Sequence, residues 1–214
     1  GTGRSGTTIL GTILGLHRDV GYLNEPKALW HAALGDDDLI GSYSAQPGRF
    51  RMGQSDVAKS KTRRLVHSYG AFLRLTRSRR VVDKYPELIF RLGFLNATFP
   101  GAKQIILLRN GADTIQSIQN WSDRNGVFSD GVAANWWGLD GQKWCQMIEQ
   151  LVVPDPYFAA ALPSIRALKN HIDMAAVEWI VTMREAMRVI QGTENLATNN
   201  LFVIHYEELV KTPE

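Results

Sequence analysis

The first eight residues, Gly-Thr-Gly-Arg-Ser-Gly-Thr-Thr, have the types and spacing of a phosphate cradle. Glycines at 1, 3 and 6 let the backbone turn tightly and aim several N–H groups at one point. The apolar run behind them starts a helix whose N-terminus favours anions, so an anionic ligand is the natural occupant. Gly1 and Gly6 stand where the G-x-x-x-x-G-K-[ST] loop keeps its glycines, but Thr7 replaces the lysine of a nucleoside-triphosphate enzyme. Farther along, Arg109 closes the most apolar strand candidate and Ser117 follows eight positions later in the next helix. A guanidinium and a hydroxyl placed that way can converge on one phosphate, giving two anion sites that bracket a nucleotide.

The elements that must position these groups read as strand, polar loop, helix, repeated. Ile9, Leu10, Ile13, Leu14 and Leu16 recur at helical spacing from Thr7 to His17, predicting a helix packed on a sheet. Val20 to Leu23 is a short strand, and Asn24-Glu25-Pro26 forces a loop before a helix near Leu29 to Leu34. Gly35 to Ser55 reads as a long surface loop or lid, and Val57 to Arg80 as a helix with a basic face. Val81-Val82-Asp83 is a buried strand, followed by Lys84-Tyr85-Pro86 and a helix from Glu87 to Thr98. Lys103 to Leu108 is the clearest strand, with a helix after it through Gln119. Ser122 to Gly131 reads as loop and Val132 to Leu151 as a Trp-rich helical region carrying Trp136, Trp137 and Trp144. A long helix from Ile172 to Ile190, a strand from Leu201 to His205 and a helix beginning at Tyr206 complete the chain. Alternation of this kind predicts an α/β fold: a P-loop-type three-layer sandwich with a central parallel sheet flanked by helices, its ligands at the carboxyl ends of the strands.

With 214 residues, 44% of them hydrophobic, the chain reads as a single domain spanning 1–214. Net charge is only +3, yet eleven of the 24 Lys and Arg residues fall between Arg49 and Lys84. Such a run is either an anion-facing surface or a solvated helix face, and it is not read as a nucleic-acid site. One cysteine, Cys145, excludes an intrachain disulfide and any multi-cysteine metal site. The five histidines have no metal-ligand spacing, and no metal is expected. Without a signal-peptide pattern or an apolar run of about 18 residues, a cytoplasmic location is the expectation.

Taken together, Gly-Thr-Gly-Arg-Ser-Gly-Thr-Thr, Asn-Glu-Pro, Asp-Lys-Tyr-Pro, Leu-Leu-Arg-Asn-Gly-Ala-Asp-Thr-Ile-Gln-Ser and His-Tyr-Glu-Glu-Leu resemble the sulfotransferase family, in its order and over nearly the whole chain. The likeness is nearest to the protein-tyrosine and carbohydrate branch. The resemblance implies a donor, 3'-phosphoadenosine 5'-phosphosulfate (PAPS), whose product is adenosine 3',5'-bisphosphate. It places the 5'-phosphosulfate on Thr2, Gly3, Arg4, Ser5, Gly6, Thr7 and Thr8, and the 3'-phosphate on Arg109 and Ser117. Moving a sulfuryl group to a hydroxyl or amine needs a base and positive charge at the leaving phosphate. Glu25 matches the catalytic glutamate, Lys84 the lysine near the bridging oxygen, and Arg4 an arginine at the transferred group. Lys27 could face the sulfuryl group or the acceptor, where tyrosine-modifying members commonly have arginine. The strand that usually precedes such a loop, and the segment that usually follows the last motif, are expected to be missing, so the domain reads as truncated at both ends.

Two other readings stay open on the sequence: a P-loop nucleotide kinase, against which Thr7 speaks, and a non-catalytic nucleotide-binding scaffold. The acceptor is left as a sugar, lipid, tyrosine or small metabolite, shaped by Gly35 to Ser55 and Ser122 to Pro163. Trp121, Trp136, Trp137 and Trp144 could line its pocket or belong to the core.

Overall fold

A computed structural model describes residues 1–44, 46–129, 131–192 and 200–211. The phosphate-type loop leads into α1 (Thr7–Gly15), then β1 (Val20–Asn24) and α2 (Lys27–Leu34). After an irregular segment come α3 (Lys59–Thr76), β2 (Arg80–Lys84), a 3-10 stretch (Pro86–Arg91) and α4 (Leu92–Thr98). Next are β3 (Gln104–Leu108) and α5 (Gly111–Asn125), followed by a meander of β4 (Val127–Ser129), β5 (Val132–Asn135) and β6 (Gly138–Leu139). The chain continues through α6 (Gln142–Met147), a π-helical stretch (Ile148–Val152), α7 (Leu162–Ala167) and α8 (His171–Ile190) to β7 (Leu201–His205) and α9 (Tyr206–Lys211).

The architecture is mixed α/β with parallel pairing. Among the described residues the parallel strands form two pairs rather than one continuous sheet: β1 with β2, from Val20↔Arg80 to Asn24↔Lys84, and β3 with β7, from Gln104↔Leu201 to Leu108↔His205. This register sets Asn24 beside Lys84 at one carboxyl end, so the residue after β1 and the last residue of β2 are neighbours.

The larger core gathers around α8, which packs on α5 and contributes Met174, Ala175, Val177, Val181 and Val189 to a cluster with Ile118, Trp137, Trp144 and Ile148. A second cluster, Trp30, Leu65, Tyr69, Tyr85 and Phe94, holds α2 and α3 against β2. Helix α1 departs from the expected packing. Its Ile9 and Ile13, and Leu16 just after it, are exposed, and it meets β1 through Gly11 and Gly15, where a Cβ would stand 2.4 and 2.9 Å from the Tyr22 side chain.

Three sequence expectations need correction. The region from Val132 is not helical at its start: Gly138, Asp140 and Gly141 all have positive φ, which a helix cannot accommodate, and the helix forms only from Gln142. The stretch Ser122 to Gly131 is not all loop, since α5 runs to Asn125 and β4 follows. The stretch Gly35 to Ser55, expected as a long surface loop or lid, is irregular and partly exposed, but it is tied down rather than free. Asp38 accepts four backbone N–H groups, from Gly41, Ser42, Tyr43 and Ser44, and buried Asp37 pairs with buried Arg91, which also donates to the carbonyls of Arg49 and Phe50. As for the basic run, Arg49, Arg51 and Lys61 are taken up in ion pairs, while Arg63, Arg64, Arg74, Arg77, Arg79 and Arg80 are exposed, a solvated face.

Candidate functional site

The carboxyl ends of the strands, the glycine-rich loop and the β4–β6 meander enclose a cavity of about 650 Å³. Its floor begins at the loop. Gly6, with φ +91°, precedes α1 as an N-cap without a side chain, so no capping side chain takes up the first-turn N–H groups. Gly3, Arg4, Gly6, Thr7 and Thr8 line the cavity. Thr2 and Ser5 do not: both are buried beneath the loop, where the Ser5 hydroxyl donates to the Thr2 carbonyl at 2.5 Å and stiffens the turn.

Three of the expected residues meet at one end. Arg4 Nε donates to the Ser117 hydroxyl at 3.2 Å, and Arg109 donates to the Arg4 carbonyl at 2.8 Å. The Arg109 guanidinium lies 4.3 Å from the centre of the Tyr206 ring, while its Nε is buried without a protein partner. Its backbone is fixed by Asn110, which caps α5 through two N–H groups, and by Trp179, whose indole donates to the Arg109 carbonyl. A fixed guanidinium with an unspent donor is equipped to receive an anion.

At the other end the Lys84 ammonium donates to Glu25, and the Glu25 backbone N–H donates to the Lys84 carbonyl at 2.6 Å. Lys27 stands 3.4 Å from the second Glu25 oxygen and over the Tyr85 ring. Burial pushes the Glu25 carboxyl up, but Lys27 and Lys84 outweigh it and hold the carboxyl below its usual range. The site therefore contains a partly shielded carboxylate, ionised at neutral pH, with two ammonium groups beside it. Glu25 and Arg4 share a feature invisible in the sequence: both are non-glycine residues with positive φ, +48° and +66°.

The structure adds a group that sequence reasoning passed over. Lys143, buried at the cavity wall, donates to Glu178 at 2.8 Å, lies 3.8 Å from Glu87 and sits 4.5 Å from the centre of the Trp136 ring. Burial pushes its ammonium down, but Glu178 and Glu87 more than compensate and raise it. The Trp136 indole donates to the same Glu178 at 2.6 Å and rests on the loop, since a Cβ on Gly3 would stand 2.5 Å from the ring. No local motif marked Lys143, because its partners lie on distant segments. The tryptophans divide: Trp121 and Trp136 line the cavity, whereas Trp137 and Trp144 are core. Among the described residues no group of three or more His, Cys, Asp or Glu could hold a metal ion, and no helix is long and apolar enough to cross a membrane.

Comparison with known proteins bears on this arrangement. A family model described as the sulfotransferase family matches residues 1–155. Among solved structures the chain is similar to a sulfotransferase domain from the curacin biosynthetic pathway, with 16% identity and a TM-score of 0.55 over 99% of this chain and 67% of that one. That likeness is one of fold. No curated protein matches the chain.

Proposed function

The chain belongs to the sulfotransferase family, and from that premise we propose that it transfers a sulfuryl group from PAPS to an acceptor hydroxyl by in-line displacement, with Glu25 as base. One observation carries the reading: a carboxylate with an ammonium at hydrogen-bond distance and an anion-ready loop with a fixed arginine share a single cavity.

In this reading the loop N–H groups and Arg4 hold the phosphosulfate end of the donor, and Arg109 with Ser117 holds the 3'-phosphate. The unspent Arg109 Nε and the open start of α1 suit such a dianion. The acceptor oxygen attacks sulfur while its proton passes to the Glu25 carboxylate. The bond from sulfur to the bridging oxygen breaks, and its electron pair leaves on the 5'-phosphate. Lys84 lies between the two events. Paired with Glu25 before reaction, it can turn to the bridging oxygen as negative charge grows there, freeing the carboxylate at the moment it must accept a proton. Lys27 keeps Glu25 ionised while Lys84 is engaged elsewhere.

Calorimetric titration of adenosine 3',5'-bisphosphate without magnesium tests the donor assignment, beside ATP with magnesium and the Arg109→Ala variant. Saturable bisphosphate binding that the variant loses by about a hundredfold or more is expected, the scale of a charge-assisted bidentate contact. Binding of ATP but not of the bisphosphate would overturn the assignment.

A further inference from the structure

We infer that the acceptor is an uncharged, largely apolar alcohol, a phenol or an aliphatic alcohol, rather than an acidic peptide or an anionic glycan. The inference rests on the sulfuryl-transfer reading above and concerns the wall of the cavity formed by the meander.

The β4–β6 meander presents an apolar row to the cavity. Its register places Val127 opposite Ala134 and Ala134 opposite Leu139, so the three side chains stand in a row across one face, and all three line the cavity. Val127 and Leu139 are 61% and 45% exposed, an apolar row that meets open cavity instead of protein. Ile40 continues the row, its carbonyl accepting the Leu139 N–H at 2.8 Å. Trp121 and Trp136 close the end nearer the loop as an edge-to-face pair with ring centres 5.4 Å apart. A ligand here gains apolar contact on two sides.

Charge points the same way. The cavity-lining residues within 40–42 and the meander carry no charged side chain. The lysines that line the cavity have carboxylate partners: Lys27 and Lys84 with Glu25, Lys143 with Glu178. A polyanionic acceptor would find no countercharge on this wall. A neutral alcohol needs only one polar contact, from its hydroxyl to Glu25, with the remainder of the molecule against the row.

The test measures transfer from sulfur-35-labelled PAPS to 2-naphthol and 1-decanol, beside an acidic tyrosine peptide and a desulfated chondroitin-type glycan. Bisphosphate affinity is determined on the same protein. A kcat/KM for a neutral probe at least about tenfold above that for the peptide or glycan is expected. Val127→Lys and Leu139→Lys, both at exposed positions, should each raise the KM for that probe about tenfold and leave bisphosphate affinity within about twofold. Preference for the peptide or the glycan, no transfer to either neutral probe, or an unchanged KM in both variants would overturn the acceptor assignment while bisphosphate binding stands. Loss of bisphosphate binding itself would instead overturn the donor reading beneath it.

Discussion

Replacing Glu25 by Gln separates chemistry from scaffolding at the one residue that the proposed reaction cannot do without. The amide keeps the size and can still accept a hydrogen bond from Lys84, but it cannot take the acceptor proton. Loss of a positioned base costs about 10²- to 10⁴-fold in rate, or about 3–5 kcal/mol in the barrier. Stability should change less. The Glu25 side chain is 34% exposed and that of Lys84 is 8% exposed, so the lost pair falls between a surface and a buried ion pair, and about 1–2 kcal/mol is expected. Single-turnover kinetics with labelled PAPS, bisphosphate calorimetry and a thermal melt read the three quantities apart. A rate within tenfold of the parent protein, with bisphosphate affinity and melting temperature unchanged, would refute Glu25 as base. The pH profile gives an independent check. Lys27 and Lys84 hold the folded carboxyl below its usual range, so Glu25 remains ionised above the unfolded value of about 4.3. Its ion-pair contribution to stability is present above that value and is lost as pH falls through the lower folded one. kcat/KM should therefore stay flat from pH 7 to about 5, and a fall with a midpoint near 6 that Glu25→Gln removes would contradict the assigned environment.

Gly6→Ala places a Cβ 2.4 Å from the Tyr206 ring at φ +91°, so the ring must shift and carry with it the stack on Arg109; bisphosphate affinity should fall at least about tenfold, with about 1–2 kcal/mol of destabilisation, read by calorimetry and denaturant melts. Lys143→Met strands Glu178 and Glu87 without their shared cation, and a loss of about 3–5 kcal/mol is expected in urea unfolding; a change under about 1 kcal/mol would show that the pair is not effectively buried. Burial pushes the Asp37 carboxyl up to about 7 despite Arg91. Since the folded state then binds its proton more tightly than the unfolded chain, this group's contribution should decline as pH rises from about 4 to 7. Thermal melts across that interval should lose this slope in Asp37→Asn.

The parts of the site legible in the sequence are those whose requirements are local. Gly3 and Gly6 are demanded by a ring packed against the loop and by a left-handed turn, and spacing alone singled them out. Strand candidates ending at Leu23 and Asp83 placed Glu25 and Lys84 at carboxyl ends, but their contact depends on the parallel register Asn24↔Lys84, which no local pattern encodes. Lys143 escaped for the same reason: its partners Glu178, Glu87 and Trp136 come from three other segments. The supposed lid was misjudged on composition, because an aspartate run reads as solvated until Arg91 and four loop N–H groups are found to claim it. In the meander, apolar and tryptophan residues suggested a helix; Gly138 and Gly141 were the available counter-signal, each adopting a backbone angle that ends helical geometry.

Backbone strain marks both ends of the cavity. Of four non-glycine residues with positive φ among those described, Arg4 and Glu25 are two, and each conformation costs on the order of 1 kcal/mol or more. Neither has the short polar side chain that makes such angles cheap. Each is held by contacts with another residue of the same site: the Arg4 carbonyl accepts from Arg109, and the Glu25 N–H donates to the Lys84 carbonyl. In each pair one residue of the site thus steadies the backbone of the other. Substituting Arg109 removes the donor that holds the Arg4 carbonyl and so relaxes the angle from which Arg4 reaches the cavity, whereas the carbonyl that holds Glu25 belongs to the backbone and survives substitution of Lys84; the effects of changing Arg4 and Arg109 should therefore combine less than additively.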